Sequence, residues 1–208
     1  MVRSSVTELP LFPLGQVLVP GGQMGLRIFE ARYLDLVGRC MREDSGFGVV
    51  LIRRGADTYG AGMGQPEIHD VGTVARIVDF DQAEAGQLAI RISGGRKFRI
   101  AGTREQADHL LLGDVELLPE EGACPIDVGF EGLTALLRQV MRHPAASGWS
   151  KDGPEEMDLG DARTLGWRLA DLLPFPPEVK QTLLQMPGAV ARLIEIRRLV
   201  EGADRGNA

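Results

Sequence analysis

From Phe29 onward the apolar positions fall at helical intervals. Phe29, Tyr33, Leu36, Val37, Cys40 and Met41 form one stripe, and Arg32, Asp35, Arg39 and Arg42 take the other face. Glu30, in the first turn, suits the positive end of the helix dipole and can accept from free backbone amides. Ser45 and Gly46 end the pattern. Around this helix the rhythm is that of strands. "VLVPG" (Val17 to Gly21) and "GLRI" are short extended runs. "FGVVLIRRG" (Phe47 to Gly55) and "VGTVARIVDF" (Val71 to Phe80) are longer ones rich in β-branched residues. In "LAIRISGGRKFRIAG", Leu88, Ile90 and Ile92 alternate with Ala89 and Arg91, and Phe98 and Ile100 resume the alternation. Gly94-Gly95 between them can supply the positive φ of a tight turn, so this segment predicts a hairpin. "LLLGDVELLP" (Leu110 to Pro119) predicts a further strand with Gly113 at a bulge or bend.

The texture changes after Pro119. "PEEGACP" reads as a linker, and Ile126, Phe130, Leu133, Leu137, Val140 and Met141 then follow a helical stripe. After a polar insertion, a second helix is predicted from an Asp161 N-cap to Leu173, a third after Pro177, and a last one carrying Val190, Leu193 and Ile194. The strands are consecutive and do not alternate with helices. That order predicts an α+β chain and argues against a parallel βαβ sheet. The expected division is a β-rich domain over residues 1–120 and an α-helical domain over 121–208.

Composition adds limits. The chain has 208 residues, 44% apolar and 25% charged, enough for a proper buried core. A net charge of −6 gives no overall pull toward nucleic acid or an anionic membrane. No window approaches the roughly 20 apolar residues of a membrane span. The N-terminus lacks the apolar run of a secretory signal. Cys40 and Cys124 form neither a CxxC pair nor a disulfide framework. A bacterial cytoplasmic protein is the expectation.

Chemistry-bearing motifs are few. "DSGFG", "RISGG" and "AASGW" all miss the G-x-S-x-G elbow of serine hydrolases. Ser150-Lys151 are neighbours in a polar stretch, not a dyad brought together by a fold. His69, His109 and His143 lack metal-ligand spacing. The glycines of "GAGMG" (Gly60, Gly62, Gly64) fall in a long loop, and no helix pattern follows them. No catalytic residue, cofactor site or metal site is expected.

Several pieces occur together in one order: "LPLFPL", "VLVPG", "LRIFEARY", "FGVVLIRRG", "VGTVARI" and "GGRKFRI", followed by "LLPFPPEVKQTLLQM". Over roughly residues 8 to 200 the chain resembles the amino-terminal, substrate-binding domain of the Lon protease family. The resemblance implies a PUA-like β pseudo-barrel with one packed helix, followed by a C-terminal helical bundle. The sequence carries no G-x-x-x-x-G-K-[ST] phosphate loop. It therefore looks like a free-standing recognition domain without the ATPase and peptidase parts. The expected function is a non-enzymatic protein-binding module for unfolded or extended polypeptide, with a protease or chaperone as a further partner. Apolar residues outside obvious core positions are the peptide-binding candidates: Phe12, Met24, Met63 and Trp149. PUA-like folds also occur in RNA-binding proteins. The rival reading is therefore an RNA-binding protein that uses Arg91, Arg96, Lys97, Arg99 and Arg104 on the hairpin. No aromatic residues interleave there to stack bases, so nucleic acid is the less favoured partner.

Overall fold

Among the residues described in a computed structural model, seven strands and one helix lie before Glu120. The structure describes residues 6–55, 64–82, 87–126, 129–142 and 158–206. The strands are β1 (Val6–Leu14), β2 (Gln23–Ile28), β3 (Phe47–Arg54), β4 (Glu67–Ile68), β5 (Val71–Gln82), β6 (Leu88–Glu105) and β7 (Leu111–Leu117), with α1 (Ala31–Glu43) between β2 and β3. Neighbours pair antiparallel in the order β1-β7-β6-β5-β3, and a parallel β1–β3 pairing closes these strands into a ring. β2 lies on β6 and β4 on β3. Closure leaves those strands without a free edge along the ring.

The strands bury both faces, which is why β3 reads as a continuous apolar run. Leu11, Val50, Phe98, Leu111 and Val115 form one cluster. Phe12, Val49, Ile90, Ile92 and Leu112, often the very next residues, join a larger one with Tyr33, Leu36, Val37 and Cys40 of α1. The helical stripe is thus narrower than the periodicity suggests. Phe29 precedes α1 and is 58% exposed, and Met41 is 42% exposed. Asp44 closes α1 in the left-handed conformation (φ 47°), and Ser45 N–H donates to the Cys40 carbonyl at 3.0 Å.

Three expectations need correction. The predicted hairpin is one strand: β6 runs unbroken for 18 residues through Gly94-Gly95, and neither glycine has a positive φ. The glycines serve close approach instead. Gly94 N–H donates to Gly22 O at 2.9 Å and Gly21 N–H to Gly94 O at 2.8 Å. A Cβ on Gly94 would lie 2.2 Å from the Val19 carbonyl oxygen. β6 also changes partner: β2 flanks its first part and β7 its second, with β5 opposite from Leu88 to Arg99. Gly113 is likewise not a bulge. It pairs in register with Leu9 and Thr103, and the irregularity lies in β6 between Ile100 and Gly102. The residues Val17 to Val19 are buried but form no strand.

The chain divides into two compact units, Met1–Glu120 and Glu121–Ala208. The second contains α2 (Glu131–Met141), α3 (Ala162–Leu172), α4 (Pro177–Gln185) and α5 (Ala189–Gly206). Asp161 caps α3 and ties the preceding segment to it, accepting from Arg163 N, from Cys124 N at 2.8 Å and from Thr164 Oγ1 at 2.9 Å. Burial raises its pKa, but these hydrogen bonds and the Arg163 charge outweigh that and hold the carboxyl below its usual range. Arg192, fully buried, makes a fork–fork pair with Glu121 at 3.0 and 2.5 Å and lies 3.3 Å over the Trp167 ring.

Candidate functional site

Where β1, β2 and the start of α1 meet, apolar side chains line a cleft of about 80 Å³. Its walls are Phe12 and Leu14 from β1, Leu26 to Ile28 from β2, and Phe29, Glu30 and Tyr33 from the turn into α1. Phe12 is held rigidly: it is 7% exposed, stacked on Tyr33 at 3.9 Å between centroids, and 5.8 Å from Phe47. Phe29 is free to meet a partner, because it falls between the last residue of β2 and the N-cap residue of α1, where neither period buries it.

The apolar surface continues across the sheet. Cross-strand partners share a face, and Leu26, Ile90 and Phe80 are opposite one another on β2, β6 and β5. Leu26 is half-buried, Ile90 buried and Phe80 57% exposed. β2 pairs with β6 alone among the described residues, so its outer edge carries no strand.

A polar cluster braces the loop before β7. Glu30 makes no capping bond as the α1 N-cap residue, contrary to the expectation from its position. It pairs instead with Arg32 at 2.9 Å, and Arg32 Nη1 donates to the His109 carbonyl at 2.8 Å. Gln65 donates to the same carbonyl at 3.0 Å. His109 (φ 67°) bonds Glu105 through Nδ1, and that hydrogen bond holds the Glu105 carboxyl below its usual range.

Of the four sequence candidates, Phe12 lines the cleft as a largely buried wall. Met24 is half-buried on β2, opposite Ile92 and packed on the larger core cluster. Met63 and Trp149 lie outside the described residues. Sequence reasoning missed Phe29 and Phe80, the exposed aromatics among the described residues. The signal for Phe29 was its place just ahead of the helix; that for Phe80 was its parity along β5, shared with Arg76 and Val78, which are exposed too. The basic residues do not share a hairpin. They run from Arg91 to Arg104 along a strand spanning about 40 Å. Acids face them: Arg91 pairs with Asp79, Arg104 with Glu8, and Arg96 with Glu120 at 3.6 Å, while Arg99 is opposite Glu116. Among the described residues no three His, Cys, Asp or Glu side chains form a possible metal site.

The profile of the family described as "ATP-dependent protease La (LON) substrate-binding domain" matches residues 8–202. The chain belongs to the Lon substrate-binding domain family. The crystal structure of a Lon N-terminal domain protein from Xanthomonas campestris superposes with a TM-score of 0.72 at 33% identity, covering 93% of this chain and 98% of that one. The N-terminal domain of a Mycobacterium avium complex Lon protease, at 17% identity and a TM-score of 0.58, shares the fold. Lon protease 2 of Myxococcus xanthus is 27% identical over 198 residues, which is 89% of this chain and 22% of that protease. Protein cereblon of Xenopus tropicalis is 29% identical over 127 residues, 59% of this chain and 26% of cereblon. The chain thus spans about a quarter of the length of these curated relatives. What it matches is the substrate-binding part of the Lon family, not the peptidase or ATPase part. No helix among the described residues is long and apolar enough to cross a membrane.

Proposed function

We propose that this Lon-type domain is a non-enzymatic module that binds unfolded or extended polypeptide, and that the aromatic cleft between β1, β2 and α1 is where it does so. The observation that carries this reading is Phe29, a large aromatic 58% exposed on the rim of an apolar cleft and next to an open strand edge. An unfolded chain offers apolar side chains not yet buried, together with unpaired backbone groups. The cleft takes the first, and the outer edge of β2 takes the second by strand addition. Phe80, at the far end of the Leu26–Ile90–Phe80 row, extends the contact. The ring of strands is read as the PUA-like pseudo-barrel of the family, and the helices described in the second unit as its helical bundle. The free thiols of Cys40 and Cys124 suit a reducing cytoplasm, where delivery of bound chains to a protease or chaperone is the fitting use. The ion pairs along β6 leave little uncompensated positive charge for RNA.

Titration of the chain with a permanently denatured, labelled model protein tests the reading. Binding is expected in the micromolar range, weakened roughly tenfold by Phe29→Ala and further by adding Phe80→Ala. Unchanged affinity in the folded double variant, or no binding by the parent protein, would sink it.

A further inference from the structure

The polar face of α1 is not simply a solvated surface. Arg32, Asp35, Arg39 and Arg42 recur on one side of the helix, and together with Gly38 they line a cavity of about 320 Å³, walled also by Leu34, Leu36, Asp108 and Leu110. Arg32 is committed to Glu30 and the His109 carbonyl. Arg39 is not: its Nη2 is buried and has no hydrogen-bond partner among the described residues. A guanidinium stays protonated, so a donor withdrawn from water and left without an acceptor is a standing cost. Arg42, three residues on and exposed, brings a second fork to the same cavity. The acids present are Asp35, which is exposed, and Asp108, whose Oδ1 already accepts from Leu110 N at 3.1 Å.

We propose that this cavity is an oxyanion site in which Arg39 and Arg42 hold one carboxylate or phosphate group. A planar guanidinium fork matches the paired oxygens of either group, and the oxyanion supplies the acceptors for the donors that Arg39 and Arg42 bring to the cavity wall. Asp35 and Asp108 set the selectivity. They repel a polyanion, so a ligand with a single oxyanion is favoured over a polyphosphate or nucleic-acid strand. The site stands apart from the aromatic cleft and does not depend on the polypeptide reading.

The test is titration of the full chain at constant ionic strength, with chloride as the control. One arm uses inorganic phosphate and the other N-acetylglycine, which carries the carboxylate of a peptide end. Saturable amide shifts across residues 34–42, with a rise in Tm, are expected in at least one arm, and the responding arm identifies the source of the group. Arg39→Leu and Arg42→Gln should each weaken that binding about tenfold or more. Arg39→Leu should keep or raise the Tm without ligand, because it removes a buried unmet donor. Should Arg39→Leu fail to fold, the exposed Arg42→Gln decides the matter alone. No response beyond chloride in either arm, or variants that bind like the parent, would overturn the proposal.

Discussion

Phe12 and Phe29 are aromatic residues of one cleft with opposite burdens. Phe12 is a core residue that happens to show one edge, and Phe12→Ala should cost about 3–5 kcal/mol by urea denaturation. Phe29 has little packing to lose, so Phe29→Ala should stay within about 0.5 kcal/mol in the same measurement. Phe12 was legible as a candidate from its place between Leu11 and Pro13. Its burial was not, because Leu11 and Phe12 feed two different clusters and no one-sided alternation reports that. Asp161 was legible as an N-cap from its type and position. Its folded pKa is depressed, so its contribution is present above the ordinary aspartate range and is lost as pH falls through the folded value. Asp161→Asn, which keeps the cap, should flatten the acid limb of a plot of helical stability against pH followed by far-UV circular dichroism. Asp161→Ala should also cost about 1 kcal/mol at neutral pH.

At the scale of elements, β6 is where sequence and structure part. Two glycines flanked by alternating apolar residues signal a hairpin when only local geometry is considered. The same pair is required inside a strand when another backbone passes within hydrogen-bonding distance, as Gly21 and Gly22 do here. The choice is made by chain far away in sequence, so local pattern could not reveal it. Gly94→Ala separates the two accounts. A turn glycine without positive φ would tolerate alanine, whereas the clash with the Val19 carbonyl should destabilise the protein by about 1–3 kcal/mol, read as a lower denaturation midpoint. Two helices were more legible: Leu165 and Leu169 of α3 and Leu133 and Leu137 of α2 fall inside as their spacing requires, whereas in α5 Leu193 is buried with Ile196, and the expected stripe partners Val190 and Ile194 are exposed. The exposed ends of the α1 stripe, Phe29 and Met41, mark where periodicity overreached.

Across the whole molecule, an overall charge of −6 hides local pairings that decide what the charges do. Arg192 gives no sequence sign of being the largest fully buried side chain of its unit, since arginine on a helix reads as surface. Its burial depends on Glu121 and on the ring of Trp167. Removing only the acid, as Glu121→Ala, strands a charge and should cost about 3–5 kcal/mol. Replacing both partners with Leu and Met should restore most of that stability in thermal melts. The order of strands and helices carried the α+β class, while the closing β1–β3 pair, the partner exchange along β6 and the cavity beneath Arg39 all arise from contacts no window of sequence contains.

The unbroken course of β6 has a practical bearing on labelling. A reader of the sequence would splice an affinity tag or fluorophore peptide between Gly94 and Gly95, the apparent tip of a loop. That insertion would cut the one strand to which β2 and β7 are both fastened, on either side of the cut, and would leave β5 alone to bridge the two halves.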